Sequence, residues 1–207
     1  KAFHLENKEY SIEINKSSPI QNLKVVMVSD IHLGYTIGLK HIDRIVDKIN
    51  RENPDIVFIV GDTFDNSYEA VADIEDIIEA FKRIKATYGA YGVLGNHDVT
   101  ADFKGSDNKS PDYTIEAEDM ISFFEKSDIT LLRDESILIE ESFYLVGRKD
   151  ASPIGAVNYE RAEASELLKD IDVEKPVILL DHQPGRFSTI SEGVDLVVSG
   201  HTHNGQV

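Results

Sequence analysis

Five short, almost uninterrupted apolar runs constrain this chain more than any other feature: Val25 to Val28, Ile56 to Val60, Tyr91 to Leu94, Val177 to Leu180 and Leu196 to Val198. A strand with one face in water alternates apolar and polar residues, whereas continuous runs suit strands covered on both faces, as parallel strands are. Between the first three runs lie two patterns near period 3.6: Leu39, Ile42, Ile45, Val46, Ile49, and then Val71, Ile74, Ile77, Ile78, Phe81, Ile84. Strand and helix therefore alternate. That order implies right-handed crossovers and a largely parallel sheet in an α/β fold.

The middle of the chain reads differently. A helix is expected around Ile115 to Phe124, then short strands in quick succession at Ile129 to Leu132, Ile137 to Ile139 and Phe143 to Val146, which together supply a second, mixed sheet. Pro153 and Gly155 break the pattern before a helix at Tyr159 to Leu168 that covers the second face. Residues 8 to 15 alternate polar and apolar, as a half-buried edge strand does, and residues 100 to 113 read as an exposed loop. No Pro/Gly/Ser-rich stretch divides the 207 residues, so a single domain over 1–207 is expected. The chain starts at Lys1 and stops just after a histidine motif, which suggests a domain excised from a longer protein and truncated at its C-terminus.

The chemistry sits directly after each apolar run, in SDIH (29 to 32), GDTFD (61 to 65), GNHD (95 to 98), DHQP (181 to 184) and SGHTH (199 to 203). In an open parallel sheet, ligands gather beyond the carboxyl ends of the strands, so five such ends would converge there. Asp30 and His32 are two apart and point the same way if strand geometry persists. Asp62 has two oxygens with which to bridge two cations, Asn96 offers an amide oxygen, and Gly200 lets the backbone come close beside His201 and His203. Each alone has an ordinary reading as a turn, a cap or a surface residue. Together they hold five of the seven histidines, while His4 and His41 read as surface residues.

Composition removes competitors. With no cysteine, thiolate zinc sites, disulfides and cysteine nucleophiles are excluded. No run of about 18 apolar residues is present, so no membrane segment is expected within these residues. A net charge of -17 argues against a nucleic-acid surface. Carboxylates, imidazoles and an amide suit Mn, Fe, Zn, Mg or Co. Two such ions roughly 3.5 to 4 Å apart activate a water and clamp the attacking and leaving oxygens of an in-line displacement.

In this order the five motifs resemble the calcineurin-like metallophosphoesterase superfamily, whose pattern is D-x-H, GD-x-x-D, GNH-D/E, an isolated H, and GH-x-H. The variant here looks closer to bacterial phosphodiesterase or YkuE-like members, often tethered at the membrane, than to protein phosphatases. The resemblance implies a four-layer α/β/β/α sandwich of two mixed sheets, with the metal site at the C-terminal ends of the strands. It implies two divalent or trivalent ions, one on Asp30, His32, Asp62 and His203 and the other on Asp62, Asn96, His182 and His201. Asp62 then bridges both. A hydroxide between the ions would attack phosphorus, Asn96 would help stabilise the added charge, and His97, oriented by Asp65, would protonate the leaving group.

Asn66 stands where the protein-phosphatase branch carries an arginine, which points away from phosphoprotein substrates, and the net acidic charge suits a small-molecule or lipid-linked phosphoester better than nucleic acid. Substrate choice is expected in residues 100 to 113 and around Arg148, Lys149 and Asp150, although a solvated charge run explains the latter equally well. The full-length protein is expected to be membrane-tethered or otherwise cytoplasmic. Two other readings compete: a non-catalytic interaction module on the same fold, and a metal amidohydrolase barrel, for which about 250 residues are typical.

Overall fold

The computed structural model describes residues 5–99, 118–151, 161–183, 185 and 192–203. Strands β1 (Val25–Val28), β2 (Ile56–Val60), β3 (Ala90–Val93) and β4 (Ile129–Leu131) form one sheet in the order β1-β2-β3-β4, and every pair in it is parallel. Strands β5 (Glu135–Ile139), β6 (Phe143–Gly147), β7 (Val177–Leu180) and β8 (Leu196–Val198) form the second sheet. There β5 and β6 are an antiparallel hairpin, while β6, β7 and β8 run parallel.

Helices α1 (Leu39–Arg51), α2 (Ile74–Phe81), α3 (Glu118–Lys126) and α4 (Ala164–Leu167) complete four layers. Ile42, Val46 and Ile49 of α1, Ile77, Ile78 and Phe81 of α2, and Phe123 and Phe124 of α3 pack with Val57 and Ile59 on the outer face of the first sheet. Its inner face gives Ile56, Phe58, Val60 and Val93 to a second core with Ile139, Phe143, Leu145, Ile178 and Leu180. On the far side Val146, Val177 and Leu179 meet Ala164 of α4. Alternate residues of β2 thus enter different cores, and all five are buried. The continuous apolar run is a two-faced strand.

Several expectations need correction. Among the described residues the first sheet is parallel throughout, and the second is the mixed one. The run at 129–132 belongs to the first sheet, where β4 pairs with β3; a short strand directly after α3 closes the same strand–helix–strand rhythm, and apolar content alone does not reveal which sheet it joins. Residues 8–15 form no strand: Tyr10 is 82% and Ile12 59% exposed, and the alternation has no partner among the described residues. Helix α2 is shorter than its apolar period. It starts after Asp73, which sits at φ 57°, while Val71 is buried in the preceding turn. Of the helix expected at 159–168, residues 159 and 160 lie outside the described residues, and α4 covers Ala164–Leu167 of the remainder. The 100–113 loop and the break at Pro153 and Gly155 lie outside the described residues.

Candidate metal centre

All five motif segments leave the sandwich at the same end, because the strands that deliver them are parallel within each sheet. The loops then continue the pairing beyond the strands. Asp30 N–H donates to the Gly61 carbonyl at 3.1 Å, His32 N–H to that of Asp62 at 3.0 Å, and Gly200 N–H to that of His182 at 3.0 Å. Such bonds lock each ligand loop to its neighbour.

The ligand candidates do not lie in strand geometry. Asp30 (φ 54°), His32 (φ 53°), Asp62 (φ 50°), His201 (φ 68°) and His203 (φ 47°) all sit in the left-handed region. Asp30 and His32 therefore converge through consecutive turns, and the expected same-side strand alternation does not apply. Asp, Asn and His tolerate this region better than most residues, yet it carries a conformational cost that the surrounding structure must hold in place. Two glycines make the approach possible. Gly61 has φ 71° and faces the His182 ring so closely that a Cβ would collide with it, and a Cβ on Gly95 would strike the Asp62 carboxylate.

Three donor groups result. Asp30, His32 and His203 form one, Asp62, His182 and His201 another, and His32, Asp62 and His97 a third, with the donor atoms of each within 4.8 Å of one another. Asp62 Oδ2 is the shared vertex, 3.1 Å from His182 Nε2 and 3.9 Å from His32 Nε2. On one side His32 Nε2 and His203 Nε2 face each other at 3.2 Å, and His203 Nε2 is 3.5 Å from Asp30 Oδ1. On the other, His201 Nδ1 lies 2.9 Å from Asn96 Oδ1. Two ring nitrogens and carboxylate oxygens pointed at one another are poorly matched among themselves and well matched to a cation between them. His182 is set for that use: its Nδ1 faces the Val60 carbonyl at 2.9 Å, which leaves Nε2 toward Asp62.

This crowding shifts the ionisation of the cluster. Burial pushes the Asp62 carboxyl up, but His182 and the His97 backbone amide more than offset it, and the group ends below the usual carboxylate range. Burial depresses the His182 imidazole, yet Asp62 and the Val60 carbonyl outweigh that and raise it to about 9. His32 is lowered, first by burial and further by His97 and His203.

His97 and Asp65 stand at the more open edge of this cluster. His97 Nδ1 is 3.6 Å and His32 Nδ1 3.8 Å from the same Asp65 oxygen, and the His32 and His97 rings meet edge to face at 4.8 Å. Asp30, His32, Asp62, Asp65, Asn96, His97, His182, His201 and His203 are thus brought together. Arg148 is not: it is buried, its Nη1 lies 3.2 Å from Asp181 Oδ2 and its Nη2 donates to the Ala162 carbonyl. Lys149 donates its backbone N–H to Asp134.

Sequence reasoning left two groups without a role. Arg161 joins Arg148 on Asp181, at 2.5 Å, directly before His182. Asp98 is fully buried and raised to about 7, because burial outweighs the backbone N–H donors of Phe64, Gly95 and Thr63. The final residue of GNHD was its only signal.

Comparison with known proteins identifies the family. The family model described as calcineurin-like phosphoesterase matches residues 23–205. The chain is 28% identical over 203 residues to a metallophosphoesterase of Aquifex aeolicus, covering 98% of this chain and 71% of that protein. It is 34% identical over 198 residues to a zebrafish (Danio rerio) transmembrane protein with a metallophosphoesterase domain, covering 91% and 42%. It is 26% identical over 208 residues to the metallophosphoesterase YkuE of Bacillus subtilis, covering 98% and 66%. The chain spans about half the length of most of the curated relatives it matches. Among the described residues no helix is long and apolar enough to cross a membrane.

Proposed function

The chain belongs to the calcineurin-like phosphoesterase family, and from that premise we propose that it hydrolyses a small or lipid-linked phosphoester at a centre for two metal ions. The observation that carries this reading is the position of Asp62 Oδ2 between two donor sets, His32, His203 and Asp30 on one side and His182, His201 and Asn96 on the other. Two divalent ions bound there supply an activated water and positive charge against the phosphoryl oxygens.

The chain's own residues do the rest. Asp62 holds the two donor sets in register, because its other oxygen accepts the His97 amide at 2.9 Å. The Asn96 amide adds a dipole beside the phosphoryl group. His97 gives a proton to the departing oxygen, and Asp65 beside its Nδ1 keeps the opposite ring nitrogen as the donor. Bond cleavage and proton delivery then occur on the same side of the cluster. The protein's net charge of -17 works against wrapping a nucleic-acid backbone, which favours a small or lipid-linked phosphodiester, pyrophosphate or monoester. Tethering of the full-length protein at a membrane is consistent with a lipid-linked substrate.

The test is hydrolysis of an aryl phosphodiester and an aryl phosphomonoester by metal-stripped protein, titrated with Mn, Zn, Mg and Fe, beside Asp62→Ala. Activity restored by metal and absent from Asp62→Ala is the expected result, and the preferred ester separates diesterase from monoesterase. Two bound metals with no hydrolysis of either ester would favour a non-catalytic module.

A further inference from the structure

We propose that Asp98 is a positioning residue that locks the loop after β2 to the loop after β3 and so fixes the spacing of the two donor sets. Two carboxylates are exchanged between these loops. Asp62, from the first loop, accepts the backbone N–H of His97 in the second at 2.9 Å. Asp98, from the second, reaches back: its Oδ1 accepts the N–H of Phe64 at 2.8 Å and its Oδ2 that of Thr63 at 3.2 Å. The same Oδ2 also takes the N–H of Gly95 at 2.8 Å, which closes the turn carrying Asn96 and His97. The result is a reciprocal clasp made of two side chains and four amides.

Asp98 belongs to none of the donor groups around Asp62. It is fully buried; its hydrogen-bond partners are the backbone amides of Thr63, Phe64 and Gly95, and the Asp62 carboxylate is the nearby charge that acts on it. Its action passes through Asp62. The two amides it binds first follow Asp62, which is held at φ 50°, and a left-handed aspartate persists only where its neighbours over-determine it. With the clasp intact, Asp62 Oδ1 is tied down and Oδ2 is aimed at both donor sets. With one amide released, the turn can relax toward an ordinary conformation, and Oδ2 moves with it. Shape alone would not preserve this, since an amide in place of the carboxylate sets an N–H₂ against N–H donors.

The inference rests on the two-metal reading, and its test fails separately from it. Mn and Co are titrated into metal-stripped wild type and Asp98→Asn well below either melting temperature, with metal content and the Co visible spectrum as readouts. Wild type binding two equivalents and Asp98→Asn losing about 10- to 100-fold in affinity, with an altered Co spectrum, is expected, the range known for groups that orient metal ligands. A lower Tm with unchanged affinity and spectrum would overturn the inference, leaving Asp98 a stability element alone. Failure of wild type to bind two equivalents would instead overturn the two-metal reading and the clasp with it. Should Asp98→Asn not fold, amide exchange in wild type decides: exchange at Thr63, Phe64 and Gly95 is expected to slow further when Mn binds. No change at those three amides would sink the proposal.

Discussion

His97 is the residue whose removal separates holding a metal from using it. It lies near the cluster, but the two donor sets flanking Asp62 are complete without it. His97→Asn is therefore expected to leave metal content unchanged while kcat falls about 10²- to 10⁴-fold, the range for a positioned acid. Unchanged kcat would remove His97 from the mechanism. Gly95→Ala tests the opposite case, because its Cβ would strike Asp62 and reach within 2.8 Å of the His182 ring. Metal affinity should collapse even though no ligand is replaced, which metal content after dialysis would show. At this scale the sequence was legible where residue type carries the chemistry: aspartates and histidines placed at the ends of apolar runs. It was silent on Asp98, whose partners are backbone amides that any residue but proline at 63, 64 and 95 would present. It was silent also on Arg161, which reaches Asp181 from another element.

Elements were readable in proportion to how much of their environment is local. β2 and α1 declare themselves, the first by burial on both faces and the second by a single apolar stripe, Ile42, Val46 and Ile49. The sheet that β4 joins is a tertiary matter: β4 follows α3 and returns beside β3, four residues before β5 opens the other sheet. At residues 8–15 alternation misled, since a period of two describes what a strand would bury and does not supply the neighbour that buries it. The two sheets approach closely at Gly147, where β6 ends: a Cβ there would overlap Leu132 and come within 3.0 Å of Val93. Gly147→Ala is expected to destabilise the fold by about 1–3 kcal/mol through overpacking, and Phe58→Ala, in the core between the sheets, by about 3–5 kcal/mol. Urea midpoints measure both, and an unchanged midpoint for Gly147→Ala would mean that the sheets separate there at no cost.

For the whole molecule, pH acts through the groups that folding displaces. Asp98, raised to about 7 from an ordinary carboxylate value, contributes stability that is complete below about pH 4 and is lost as pH climbs through 7. His182, raised to about 9 in the metal-free protein, contributes below about pH 6.5 and loses that contribution toward pH 9. Metal-free protein should thus melt at progressively lower temperature from near-neutral to alkaline pH, as scanning calorimetry of chelated samples would show. A melting temperature that rises over that window would contradict the His182 assignment, because the Asp98 contribution is already lost by about pH 7. Bound cations should reverse the trend by supplying the positive charge that His182 otherwise carries. Of the twelve left-handed non-glycine residues among those described, five are the ligand candidates Asp30, His32, Asp62, His201 and His203, and these five set a limit on how this chain can be improved. Glycine is the residue most at ease in that conformation, so one route to a tougher apoprotein runs through the same codons as the proposed metal site. Selection for heat resistance in the presence of a chelator should enrich glycine at those positions and yield a sturdier, inert protein, whereas the same selection in the presence of Mn should leave them untouched.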